Sequence, residues 1–314
     1  MGRTSIEWTD YSWPIVNGCR RVSAGCERCY AERLTATRLS KTLKYKGLAV
    51  FGKNGPKWTG ETRLWEPHLE APLNVKKPGR WFVADMGDLF YEGVADEDIA
   101  RVFVIMALAK QHTFQILTKR PERMRAWMTN ANGERICQLK PRSGHGDWIA
   151  VDTLSGFQWP LPNVWLGVSV EDQATADERI PILLETPAAV RFVSYEPALG
   201  PLTLHPGILG SPGHLAETFG NPLIHWLICG GESGPGARPF DLNWARSIVG
   251  QCNEADVACF VKQLGARPFD GDEGQRCDGE PHEWAWLKLK DRKGGDIEEF
   301  PDDLRVRQFP EPRA

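Results

Sequence analysis

Three cysteines lie close together in the run Gly18-Cys19-Arg20-Arg21-Val22-Ser23-Ala24-Gly25-Cys26-Glu27-Arg28-Cys29-Tyr30, a C-x6-C-x2-C spacing. Thiolates select soft centres, zinc or iron–sulfur. Three of them can hold one metal centre, but they complete neither a four-coordinate zinc site nor a cubane with four irons. One position is left for another protein group, a water or a small molecule, and an open position is the usual mark of chemistry. A zinc finger would add a second knuckle or a His-x3-5-His pair. The nearest histidine is His68 and the other six are isolated. Structural zinc with a distant fourth ligand therefore stays open beside a three-cysteine [4Fe–4S] cluster. Gly18 and Gly25 bracket the motif and allow a tight loop. Arg20, Arg21 and Arg28 either offset the charge of a thiolate-bound centre or are ordinary surface charge.

Further groups with chemical potential are spread along the chain. Gly230–Gly236 has four glycines in seven residues, with Glu232 among them and Arg238 just after. It lacks the Lys-Ser/Thr of a P-loop and does not match G-x-G-x-x-G. It reads as a loop that brings backbone close to a ligand, or as a tight turn. Asp85, Asp88, Glu171 and Glu196 are carboxylates suited to hydroxyls or an amine, and paired carboxylates also suit a hydrolase. Lys119, Arg120, Arg238 and Lys262, with Gln263 beside the last, are candidates for a phosphate or carboxylate of a substrate, or partners for nearby acids. From Arg33 to Lys57 there are seven basic residues and no acidic one, with Tyr45, Phe51 and the adjoining Trp58 interleaved. Basic and aromatic mixing suits a nucleic acid, with Arg38, Lys41, Lys44 and Lys46 as the contacts; a solvated face is the alternative.

The elements that must position these groups show as short apolar runs alternating with helical stretches. Strands are expected near Trp13–Val16, Trp81–Ala84, Phe114–Leu117, Val164–Val168, Val190–Val193, Ile224–Ile228 and Ala258–Val261. Helices are expected near 96–110, 121–127, 174–184 and 243–255. This is the βαβ signature of a parallel sheet. Seven strands suit a full or partial (β/α) barrel of TIM type, with a doubly wound sheet as the alternative. Every candidate strand ends in polar or charged residues, which in a barrel converge on an active site at the C-terminal rim. The barrel domain is expected over 1–269, with insertions near 42–64, 130–161 and 201–220. Residues 270–314 read as an irregular extension pinned by Trp284 and Trp286.

Composition sets the outer limits. The chain has 314 residues, 41% hydrophobic and 25% charged, as in a soluble globular protein. A net charge of −3 gives no global field for a polyanion, so local patches must carry any nucleic-acid argument. No apolar h-region opens the sequence and no run is long enough to span a bilayer. Ile6 stands where a myristoylation site needs Ser or Thr. A cytoplasmic setting is expected. With eight cysteines and no secretory signature, a disulfide framework is not expected. Cys137, Cys229, Cys252, Cys259 and Cys277 read as buried small hydrophobes. Of thirteen tryptophans, Trp81, Trp165 and Trp226 read as core, while Trp13, Trp58 and Trp159, beside Gly or Pro, suggest flat surfaces near loops.

The cysteine motif resembles that of radical SAM enzymes, in which three cysteines leave one iron for S-adenosylmethionine. The usual spacing there is C-x3-C-x2-C with an aromatic before the third cysteine; here six residues intervene and Tyr30 follows. The chain is more similar to a phage-associated three-cysteine-motif family of unknown function, itself similar to radical SAM enzymes including spore photoproduct lyase. The matching segments are Trp8-Thr9-Asp10, Asn17-Gly18-Cys19, Cys29-Tyr30-Ala31-Glu32, Met86-Gly87-Asp88-Leu89-Phe90 and Leu117-Thr118-Lys119-Arg120-Pro121-Glu122-Arg123-Met124. Further ones are Leu166–Glu171, Ser194-Tyr195-Glu196-Pro197, Gly230–Gly236, Lys262-Gln263 and Asp303–Arg307, in order along the chain.

This resemblance implies a [4Fe–4S] cluster on Cys19, Cys26 and Cys29. It also implies reductive cleavage of S-adenosylmethionine and modification or repair of a nucleic acid or nucleotide, in a host cytoplasm if phage-encoded. The implied cofactor contacts are Tyr30, Asp85, Asp88, Ser169, Glu171, Glu196, Gly230, Gly231 and Glu232. No catalytic residue is assigned. A reductant or electron-donor protein and a partner protein belong to this reading, and a membrane does not. The alternatives are a non-catalytic Fe–S or zinc protein that binds nucleic acid or a partner, and a metal-dependent hydrolase using the rim carboxylates.

Overall fold

Seven strands enter one parallel sheet, the first running over Tyr11–Trp13 rather than Trp13–Val16, since Val16 pairs antiparallel with Leu64 outside that sheet. A computed structural model describes residues 3–130, 158–210, 223–271 and 285–310. The chain divides into unit 1 (Met1–Leu166 with Glu185–Ala189) and unit 2 (Gly167–Leu184 with Val190–Ala314). Unit 1 contains β1 (Tyr11–Trp13), β2 (Val16–Asn17), α1 (Tyr30–Ala36), β3 (Ala49–Gly52), β4 (Gly55–Trp58) and β5 (Arg63–Leu64). Next come β6 (Arg80–Val83), α2 (Asp96–Leu108), β7 (Thr113–Thr118) and α3 (Pro121–Asn130). Strand β8 (Val164–Val170) contains the boundary. Unit 2 continues with α4 (Gln173–Leu184), β9 (Val190–Tyr195), β10 (Trp226–Gly230), β11 (Phe240–Asp241), α5 (Leu242–Glu254), β12 (Ala258–Gln263) and β13 (Pro268–Phe269).

The strand order is β1-β6-β7-β8-β9-β10-β12, so each strand lies beside the next one in sequence. A doubly wound sheet reverses direction at a switch point, and this order has none. The expectation of a barrel-type parallel sheet is met at that level. Closure into a full ring is not among the pairings of the described residues, because β1 and β12 stand at the two ends of the order. Both end strands are covered: Arg3 forms an antiparallel bridge to Tyr11, and Arg307 forms one to Phe260. Covered edges remove the row of unpaired amides that would otherwise template association.

The strands form where β-branched and aromatic residues cluster. In unit 1, Trp13, Trp81, Val83, Phe114 and Ile116 are fully buried along β1, β6 and β7, and Ile99, Phe103 and Met106 are fully buried on α2. In unit 2, Phe192, Leu227, Ile228 and Phe260 play the same part against Ile248 and Cys252 of α5. Each such side chain contributes roughly 1.5–3 kcal/mol. Helix α2 begins with Asp96, Glu97 and Asp98 in its first turn, where acids complement the helix dipole. Trp81, Trp165 and Trp226 are core, as expected, but Trp13 and Trp58 are buried as well. Trp13 has its indole N–H on the His68 carbonyl at 2.8 Å, so a neighbouring proline did not bring it to the surface.

The first expected insertion folds as a turn, the hairpin β3–β4, and β5, which pairs antiparallel with β2. Much of the second and third insertions (131–157 and 211–222), along with Cys137, Cys277 and Trp284, lies outside the described residues. Trp286 stacks at an angle on Phe269 in unit 2. Cys229, Cys252 and Cys259 are buried, as expected. Among the described residues no helix is long and apolar enough to cross a membrane.

Candidate functional site

The cysteine loop in unit 1 is fixed at three places. At its start, the Gly18 N–H donates to the Met86 carbonyl at 3.2 Å, and Gly18 bridges Gly87. Gly18 has φ +92, and a Cβ there would lie 2.2 Å from the Glu61 carbonyl oxygen, so only glycine fits. In the middle, the Arg20 carbonyl accepts from Arg120 Nη2 at 2.7 Å. Arg120 is buried, donates to Asp88 at 3.0 Å and to Glu92 at 3.2 Å, and lies over the Tyr91 ring. Arg21 then donates through Nε to both oxygens of Glu32 at 3.1 and 2.9 Å and through Nη2 to the Pro56 carbonyl at 2.9 Å. Glu32, on α1 and fully buried, also accepts the Trp58 N–H at 2.7 Å. One carboxylate therefore ties together the loop, the helix after Cys29 and the hairpin.

These anchors present three thiols of intermediate exposure, none in a disulfide. Cys19 lies 3.4 Å from the Arg20 carbonyl, Cys26 lies 3.9 Å from Ser23 Oγ, and Cys29 is the N-cap of α1. Burial pushes the Cys19 thiol up to about 12, with the Asp88 charge adding and Arg120 opposing. Burial also raises Cys29, while the backbone N–H groups of Glu32 and Ala31 work against it. Cys29 interacts electrostatically with both Cys19 and Cys26. The Arg21 guanidinium is held charged by Glu32 first, with Cys29 and Cys26 contributing.

Beside the loop, Tyr30 donates to the Asp85 carbonyl and Ser12 donates to Asp85 Oδ2. Asp85 Oδ1 is a buried acceptor with no hydrogen-bond partner. Burial raises this carboxyl to about 6, against the Ser12 hydrogen bond and the Lys44 charge. Lys44 is buried with its ammonium over the Tyr45 ring at 5.2 Å, and burial lowers it to about 8. It thus sits apart from Arg38, Lys41 and Lys46, which are exposed. Asp88 is fully engaged, accepting from Thr118 at 2.7 Å, the Phe90 N–H at 2.9 Å and the Lys119 N–H at 3.1 Å besides Arg120. The Asp88 and Arg120 charges therefore serve each other and the loop.

The sequence-predicted residues of unit 2 are engaged by neighbours within that unit. Glu171 faces Arg179 at 3.2 Å, both buried, and Arg179 also donates to the Ser169 carbonyl at 2.6 Å. Ser169 Oγ donates to the Glu196 carbonyl at 3.0 Å. Glu196 pairs with Lys262 at 3.0 Å. A Cβ on Gly230 would lie 2.6 Å from Glu196 Oε1, so this glycine makes room for that carboxylate. Gln263 donates to the Gly231 carbonyl at 2.7 Å. Glu232 accepts from Arg238 at 2.7 Å through Nη2 and at 2.9 Å through the backbone N–H.

Sequence reasoning gave Glu32, Ser12 and Arg179 no role. For Glu32 a signal existed, since it is the last acid before a long acid-free basic stretch ending at Glu61. Among the described residues, no three His, Cys, Asp or Glu side chains are drawn tightly enough together to hold a metal ion. Three thiols on one anchored loop, with Cys29 interacting electrostatically with both others, are soft donors that suit zinc and iron–sulfur alike. No curated protein and no solved structure matches the chain. The family described as "Protein of unknown function (DUF5131)" has a model that matches residues 3–287, and the chain belongs to that family.

Proposed function

We propose that Cys19, Cys26 and Cys29 hold a [4Fe–4S] cluster whose fourth iron binds S-adenosylmethionine, in an enzyme that modifies or repairs a nucleic acid or nucleotide. The observation that carries this reading is the anchored loop: three thiols outside any disulfide, presented by backbone that Gly18, Arg120 and the Arg21–Glu32 pair hold in place. The chemistry such a centre supplies is one-electron reduction of the sulfonium, giving methionine and a 5′-deoxyadenosyl radical. The chain's own part is to hold and orient. Arg21 places positive charge beside Cys26 and Cys29. Asp85 offers its unpartnered Oδ1 to a donor on the cofactor or substrate, directly after β6, the end of a strand where parallel α/β enzymes build their sites. In unit 2 Glu171, Glu196 and Glu232 each face a basic side chain, which weighs against their serving as hydrolytic bases.

The test is anaerobic purification with iron, sulfide and zinc analysis, followed by a dithionite assay for 5′-deoxyadenosine. Iron and sulfide with 5′-deoxyadenosine formation support the reading, and Cys→Ala at any of the three positions should abolish both. Stoichiometric zinc without iron, or a cluster that leaves S-adenosylmethionine intact, would overturn it.

A further inference from the structure

The hairpin β3–β4 leaves large apolar side chains in water. Phe51 is 64% exposed and Val50 52%, and Leu43, on the preceding turn, is 76% exposed. Val50 and Phe51, consecutive on β3, project to opposite sides of the hairpin, so Phe51 is the large ring on its own side. Their surroundings define the partner. Arg33, Arg38, Lys41, Lys46, Lys53 and Lys57 are all exposed, and none forms an ion pair among the described residues. No acid lies between Glu32 and Glu61. A merely solvated face would mix the two signs.

The surface is rigidly built. Val50 stands opposite Lys57 and Phe51 opposite Pro56 across the hairpin. The hairpin packs on α1 and is tied to it by Glu32 through the Trp58 N–H. Arg63 donates to the carbonyls of Leu43 at 2.6 Å, Lys44 at 3.0 Å and Lys46 at 3.0 Å, which fixes the turn. Gly55, with φ +95, closes the tight loop at Lys53-Asn54. The backbone that carries Phe51 is thus fixed before any ligand binds.

We propose that this face binds single-stranded nucleic acid, with the exposed bases on phosphates and Phe51 as a stacking platform for an unpaired base. The proposal deepens the functional reading above by naming its substrate class. A ring stacks on a base only when that base is unpaired, so duplex would be met by charge alone. Surface-lying membrane segments are typically amphipathic helices, whereas this one is turns and a hairpin.

The test is fluorescence anisotropy of the full chain with labelled oligo-dT and oligo-U, a matched duplex, and vesicles of phosphatidylcholine with phosphatidylserine. Single strands should bind more tightly than duplex, with a log–log salt slope near −3 to −4 for about five neutralised phosphates. Phe51→Ala should weaken single-strand binding roughly 5- to 150-fold, and Phe51→Trp should retain it. Lys46→Glu with Lys53→Glu should flatten the salt slope. Equal affinity of wild type and Phe51→Ala, tighter binding to duplex, or binding to vesicles but not to oligonucleotides would overturn the proposal. Iron and sulfide assayed in the same preparation keep the two readings apart. A chain without a cluster contradicts the cofactor assignment, whereas insensitivity to Phe51 contradicts this surface.

Discussion

Units 1 and 2 place the same kinds of residue after their strands and use them differently. In unit 2 acids and bases close on one another: Glu171 on Arg179, Glu196 on Lys262, Glu232 on Arg238. In unit 1 the Asp88–Arg120 and Glu32–Arg21 pairs each extend a further hydrogen bond to a backbone carbonyl, at Arg20 and at Pro56. Those carbonyls belong to the cysteine loop and to the hairpin beside it. Arg179 also reaches a backbone carbonyl, but that of Ser169 on the neighbouring strand β8, which is scaffold, whereas the unit 1 pairs reach the cysteine loop and the hairpin and are placed to support the proposed site.

Paired substitutions sharpen this contrast. Arg179→Ala and Arg120→Ala should each cost about 3–5 kcal/mol by denaturant unfolding, because each strands a buried carboxylate. Replacing both partners with apolar residues should separate the units. Glu171→Leu with Arg179→Met should recover most of the stability, since a well-packed apolar pair is often neutral. Asp88→Leu with Arg120→Met should stay destabilised, because the Phe90 and Lys119 N–H groups and the Thr118 hydroxyl lose their acceptor, and should also lose bound iron, because the Arg20 carbonyl loses its donor. Equal iron content in the two double variants would break the comparison.

Glu32→Gln should cost about 2–3 kcal/mol, less than a fully buried pair because Arg21 is 37% exposed. Asp85 gives a pH signature. Its folded pKa lies above its unfolded value, so its contribution to stability is fully present below about pH 4 and lost as pH rises through about 6. Wild type minus Asp85→Asn should therefore fall by about 2–3 kcal/mol across that window in pH-resolved unfolding. A flat difference would remove the buried, underpartnered carboxylate from the site. Gly18→Ala adds a clash with the Glu61 carbonyl to its positive-φ strain and should cost more than the roughly 1–3 kcal/mol of strain alone, with slower cluster uptake measured by absorbance during reconstitution.

The parallel sheet was legible because its period is local. Val164–Val170 and Ala258–Gln263 announce themselves as apolar runs, and the helices between them by spacing. Helix α1 and the hairpin were not, because each is short and is held by Glu32, a contact with Arg21, Trp58 and nothing in its own pattern. The three cysteines were visible as a spacing, whereas the burial of Lys44 was not. Its neighbours Lys41 and Lys46 read identically in sequence, and only the fold turns one inward and the others out. Charge partners are likewise set by tertiary approach, so Arg120 and Glu171 read as ligand contacts until Asp88 and Arg179 are seen beside them.

The central claim is that the thiol loop is a cluster site. The most direct measurement is the iron and acid-labile sulfide content of anaerobically reconstituted wild type beside Cys26→Ser, with electron paramagnetic resonance after dithionite reduction. Cys26→Ser is chosen because Cys26 is partly exposed and its loss leaves all three loop anchors intact. The account predicts about four irons and four sulfides per chain, with a reduced-cluster signal that S-adenosylmethionine perturbs, and loss of both in the variant. One zinc per chain without sulfide, or iron that Cys26→Ser retains in full, would contradict it.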